Sequence, residues 1–154
     1  MSKRAITATS VTHQIRDTCL CLHVQRAARA VTRRYDDALR PVQLTNGQFS
    51  LLMSLHRAEA PSISSVAALL AMDRTTLTAN LKPLERRGFV KVAVDAADRR
   101  SRLMSLTPAG RTLLAAALPL WKRAQTMNER LVSPSSCDRL RADLGALSRE
   151  ISAV

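Results

Sequence analysis

The chain has 154 residues, 46% of them hydrophobic, enough for one folded domain with a real core and too many for a disordered tail. Lys and Arg number 24 against 12 Asp and Glu, and the formal net charge of +12 suits a polyanionic partner, nucleic acid first and an anionic membrane surface second. Aromatic residues make up only 3%, which argues against single-strand binding by base stacking, and no apolar run approaches the ~20 residues of a membrane span.

The first residues, MSKRAITATSVTHQ, lack the apolar core of a secretory signal. Cys19, Cys21 and Cys137 do not make a disulfide framework. A cytoplasmic protein with reduced thiols is the expectation. From about His13 to Leu39 the chain reads as a long helix stopped by Pro41, with Leu20, Val24, Ala27, Val31 and Tyr35 at helical spacing. LTNGQFSLLMSLHRA follows as a second helix, with Thr45 or Asn46 as its N-cap.

PSISSVAALLAMDRTTLTANLKPLERRGFV then reads as two short helices. Ser62 caps the first. Asp73 caps the second, because its carboxylate accepts the unpaired amide hydrogens of the first turn. The second helix buries Leu77, Leu81 and Leu84, and Gly88 takes the C-cap position. FVKVAV and RLMSLT read as strands of a hairpin around the loop Asp95 to Ser101. From Pro108 to about Leu131 a long helix returns, with Leu114, Ala117, Trp121, Ala124 and Leu131 as its apolar stripe and a kink expected at Pro119. Ser133 and Pro134 restart a last helix as N-cap and first residue. Its Cys137, Leu140, Leu144, Leu147 and Ile151 alternate steps of three and four, a seam suited to packing on another helix.

Two short helices, a tight turn and a basic hairpin predict a mainly α fold with a small β-hairpin wing, a winged helix-turn-helix. Thr75, Thr78, Lys82 and Arg86 lie opposite the leucines of the second helix, facing a major groove. Arg74 and Thr76 sit in its first turn, within reach of phosphate. The wing loop is expected to reach the adjacent minor groove, with Arg100 inserted and Arg99 and Arg102 on phosphates. Asp98 is expected to pair with an arginine and aim it, because a guanidinium fork matches a carboxylate.

The stretch MDRTTLTANLKPLERRGFVKVAVDAADRRSRLMSLTPAG resembles the core of the MarR family of bacterial transcription regulators. That family's wing motif, DxxDRR followed by LTxxG, is present as Asp98, Arg99 and Arg100 with Leu106, Thr107 and Gly110. The flanking long helices extend the resemblance over nearly the whole chain. It implies a homodimer with interleaved N- and C-terminal helices, residues 1–44 and 108–154 forming the dimerisation region and residues 45–107 the DNA-binding region. It also implies a pseudo-palindromic duplex site, and repression relieved by a ligand or an oxidant. Ala71 stands where the family commonly has glycine, and Pro83 lies inside the recognition helix, whose C-terminal half is expected to bend.

CLCLHVQRAARAVTRRY resembles the first helix of the family's organic-peroxide-sensing branch, which implies a reactive Cys21 assisted by Tyr35 and a resolving Cys137 on the partner subunit. Gln25 and Asn46 replace two further tyrosines of that branch, so the cysteines read first as small apolar packing residues. The preferred effector is instead a small aromatic or lipophilic acid bound between the dimer helices and the winged helix, where Arg29, Arg33 and Arg57 offer positive charge. His13, His23 and His56 have no paired ligand spacing, so neither metal nor cofactor is expected, and no catalytic constellation argues for an enzyme. A basic membrane-surface protein is the alternative of another class.

Overall fold

A computed structural model describes residues 8–132 and 136–149. They run α1 (Ala8–Thr18), α2 (Leu20–Leu39), a 3-10 turn (Arg40–Val42), α3 (Asn46–Ser54), α4 (Ile63–Leu69), α5 (Arg74–Arg86), β1 (Val90–Val94), β2 (Arg102–Leu106), α6 (Pro108–Glu129) and α7 (Cys137–Leu147). The chain divides into two compact units between Arg34 and Tyr35.

In the first unit the expected single helix is interrupted at Cys19, which belongs to neither α1 nor α2. Beside the break the Thr18 hydroxyl donates to the Gln14 carbonyl at 2.7 Å, a bond that threonines of α5 and α6 also make without interrupting their helices. The ladder still passes the break, since the Cys19 amide donates to Ile15 and the His23 amide to Cys19. Leu20 and Val24 of the expected apolar stripe are exposed.

In the second unit each helix starts where the sequence offers a cap. Thr45 caps α3 in a reciprocal box with Gln48. Ser62 accepts from the Ser65 amide, and Thr107 from the Gly110 amide with Pro108 in the first turn of α6. The core is built from Leu39, Phe49, Leu51, Leu52, Val66, Leu77, Leu84 and Met104, all at most 5% exposed. Trp121 stacks between Tyr35 and Phe49, with ring centroids 6.4 and 6.0 Å away.

The strands pair antiparallel, from Val90 with Leu106 to Val94 with Arg102. Ser62 bridges to Leu103, and the Met104 amide donates to the Pro61 carbonyl, so the segment before α4 covers the free edge of β2. Helix α6 continues through Pro119 and ends at Glu129, so Leu131 lies beyond it and is 66% exposed rather than part of its stripe. The expected start of the last helix at Ser133 and Pro134, and its Ile151, lie outside the described residues. Within α7, Leu140, Leu144 and Leu147 are all exposed.

Candidate nucleic-acid interface

Helix α4 hands over to α5 through Ala71, which adopts a left-handed conformation with φ 49°. There the Ala71 amide donates to Ala68 and the Met72 amide to Ala67, the paired bonds that close a helix end. Glycine is common at such a position because it alone escapes the steric penalty of a Cβ. Asp73 then opens α5, accepting from the Thr76 amide at 2.8 Å and from the Thr76 hydroxyl at 2.7 Å. The amide bond first, and the hydroxyl bond second, hold the Asp73 carboxyl below its usual range.

Buried Leu77, Leu81 and Leu84 fix the rotation of α5. The opposite face presents a shallow groove lined by Arg74, Thr75, Thr78, Ala79 and Lys82. The Thr78 hydroxyl donates to the Arg74 carbonyl, so its outward chemistry is a lone pair and a methyl group. The Thr76 hydroxyl, expected near phosphate, is occupied by the cap. Pro83 removes the amide that would bond to Ala79, yet α5 persists to Arg86, which is exposed one turn past Lys82. Gly88, with φ 74°, ends the helix.

The wing loop corrects one expectation. Asp98 does not pair with an arginine. Its Oδ1 accepts from the Arg100 backbone amide at 3.0 Å and its carbonyl from the Ser101 amide at 2.8 Å. A short carboxylate at the start of a tight turn meets its own backbone sooner than a flexible guanidinium. Asp98 therefore shapes the loop that carries the arginines. Arg102 donates to the Arg99 and Ser101 carbonyls at 3.0 and 3.3 Å and braces the loop from β2. The side chains of Arg99 and Arg100 make no hydrogen bond or ion pair among the described residues, and both are exposed.

The wing and α5 meet. Ser64, Arg74, Asp98, Arg100, Ser101 and Arg102 line one recess of about 150 Å3. Three guanidiniums with a single carboxylate make a strongly positive notch between the recognition face and the wing. Ser64 escaped the sequence reading because only the fold brings it beside the wing. Arg87 escaped it too: its guanidinium lies 4.8 Å above the Phe89 ring and donates to the Gln43 carbonyl, so it fastens the end of α5 to the chain before α3. Nothing in the pair Arg86–Arg87 told the outward arginine from the structural one.

The thiol candidates are not assembled into one site within either unit. Cys21, in the first unit, is exposed, with Gln25 Nε2 3.2 Å from its Sγ. Tyr35, in the second, is buried, and its hydroxyl donates to Gln125 rather than to a thiol. Burial pushes the Tyr35 hydroxyl above its usual pKa, while a hydrogen bond from Asn128 works the other way. Cys137 is half-buried, with its Sγ 3.8 Å from the Glu129 carbonyl. Among the described residues no group of three His, Cys, Asp or Glu is placed to hold a metal, and no helix is long and apolar enough to cross a membrane.

A capped helix, a left-handed turn, a second capped helix and a two-stranded wing whose loop shares a notch with that helix make this a winged helix-turn-helix protein. The model of the MarR family matches residues 44–101. The fold is similar to that of the M. tuberculosis transcriptional regulator MosR, solved in complex with DNA, with a TM-score of 0.76 and 39% identity over 84% of this chain and 93% of that one. The organic hydroperoxide resistance transcriptional regulator of Bacillus subtilis (strain 168) is 30% identical over 101 residues, 66% of this chain and 69% of that protein. The HTH-type transcriptional regulator TtmR of Methylorubrum extorquens (strain PA1) is 38% identical over 97 residues, 63% of this chain, which spans half of that relative's length. The chain belongs to the MarR family.

Proposed function

We propose that this protein is a transcriptional regulator that binds a pseudo-palindromic site in double-stranded DNA as a homodimer. It acts in the cytoplasm as a repressor released by a small-molecule effector, and no catalytic step is part of its action. The observation that carries the reading is the continuity of the α5 groove with the arginine-rich wing through the shared notch at Arg74. MosR, similar over most of both chains, was solved with DNA. Thr75, Thr78 and Lys82 read base edges, Arg86 follows the groove, Arg74, Arg99 and Arg102 hold phosphates, and Arg100 enters the minor groove.

Two winged helices on one site require two chains. The exposed Leu140, Leu144 and Leu147 of α7, and Leu20 and Val24 of α2, supply apolar faces for that assembly. The test is selection of bound duplexes from a random library, followed by footprinting. Thr75→Ala and Thr78→Ala change the selected sequence more than the overall affinity. Failure to enrich any duplex contradicts the reading.

A second reading, release by oxidation of Cys21, draws on the exposure of that thiol and on the similarity to the hydroperoxide regulator of B. subtilis. It requires that peroxide release DNA from the wild type and not from Cys21→Ser.

A further inference from the structure

Thr75, Thr78, Ala79 and Lys82 share one face of α5, and with Arg74 they line its groove. The two ends of the groove are cationic, and its centre holds Thr78 and Ala79. Thr78 is half-buried, and its hydroxyl proton is committed to the Arg74 carbonyl at 2.7 Å. It cannot donate to the N7 or O6 of guanine, or to the O4 of thymine, without breaking that bond. What it still offers is an acceptor lone pair and a methyl group. Ala79 is exposed beside it and adds a Cβ with no polar atom. The one carboxamide of α5, a group suited to adenine, is turned away from this face. Asn80 Nδ2 donates to the Thr76 carbonyl at 3.0 Å, and Asn80 Oδ1 lies 2.6 Å from where a Cβ on Gly47 of α3 would stand.

A lone pair accepts from an exocyclic amine, and adenine and cytosine both carry one in the major groove. The Thr78 hydroxyl therefore does not tell A·T from G·C. Its methyl does, because only thymine presents a C5-methyl there. We propose that Thr78 is a specificity-determining residue that reads A·T pairs through the thymine C5-methyl, packed against its own methyl at the centre of the α5 groove. The bond that holds the hydroxyl also holds the methyl, since one χ1 rotation sets both, so little side-chain freedom is lost on contact. Arg74 and Lys82 draw the duplex against the two ends of that contact. The proposal rests on the regulator reading above and names the base pair that its recognition helix selects.

The test uses the duplex enriched by the selection experiment, with each thymine of a half-site replaced singly by deoxyuridine, which lacks only the methyl. In fluorescence anisotropy at fixed salt, one such replacement weakens binding by the wild type about fourfold, the worth of one buried methyl group. At that position 5-methylcytosine paired with guanine binds about fourfold tighter than cytosine, for the same reason. Thr78→Ser, which keeps the hydroxyl and loses the methyl, binds the thymine and deoxyuridine duplexes alike. Thr78→Val, which keeps a methyl and loses the hydroxyl, still prefers thymine. An enriched duplex without thymine in its half-sites, indifference of the wild type to every deoxyuridine, or undiminished preference for thymine in Thr78→Ser overturns the proposal. Each of these outcomes presupposes an enriched duplex, so it is distinct from failure of the selection itself, which defeats the regulator reading.

Discussion

Gly110 has no room for a side chain. A Cβ there collides with the Phe89 carbonyl oxygen, which also accepts from the Thr107 amide at 3.1 Å, so the start of α6 is pressed onto the base of the wing. Gly110→Ala is expected to cost about 1–3 kcal/mol by overpacking, read from urea unfolding. Ala71 is the opposite case, an alanine where the backbone favours glycine. Relief of a left-handed penalty of about 1–2 kcal/mol outweighs the roughly 0.5–1 kcal/mol of extra backbone entropy, so Ala71→Gly gains a few tenths to about 1 kcal/mol in the same assay. Asp73 sets a pH dependence. Its folded pKa is depressed, chiefly by the Thr76 amide, so its contribution is fully present above the unfolded value. That contribution is lost as pH falls through the lower, folded value. The thermal midpoint of the wild type therefore exceeds that of Asp73→Ala by a constant margin near neutrality, and the margin closes only in strong acid. A margin that closes near neutrality contradicts the cap.

The wing depends on the turn at Asp98. Asp98→Asn keeps an acceptor for the Arg100 amide and is expected to retain duplex affinity, whereas Asp98→Ala loses the turn and weakens binding severalfold in fluorescence anisotropy. An ion pair would fail equally in both variants, so equal loss contradicts the turn. Asp98 also marks what the sequence leaves open. Local hydrogen bonding decided much of the second unit, and the caps at Thr45, Ser62 and Asp73, the buried face of α5 and the stop at Gly88 were all legible. An aspartate two residues before an arginine serves a turn or an ion pair equally well, and only the backbone conformation decides. The break at Cys19 had no counterpart in the sequence, since neither glycine nor proline stands there and the apolar spacing runs on through Leu20 and Val24. Contacts distant in sequence gave no signal, among them the bridge from Ser62 to Leu103 and the Arg87 guanidinium over Phe89 and on Gln43.

At the scale of the whole molecule, the account needs two winged helices held at a fixed spacing. The leucines of α7 are exposed in the single chain and covered in the proposed dimer. Leu140→Asp/Leu144→Asp is expected to sediment as a folded species of 16.9 kDa where the wild type has twice that mass, and to lose specific duplex binding. A variant that stays dimeric places the interface elsewhere. The central claim is that the wing arginine and α5 together read a duplex. Its most direct measurement is the affinity of wild type and Arg100→Ala for a selected duplex and for a scrambled one, across a salt series. Arg100→Ala loses about 1–3 kcal/mol, roughly 5- to 150-fold, on the selected duplex, and much less on the scrambled one. Loss of equal size on both duplexes, with a shallower salt slope, makes Arg100 a phosphate contact only. Unchanged affinity for the selected duplex contradicts the account outright.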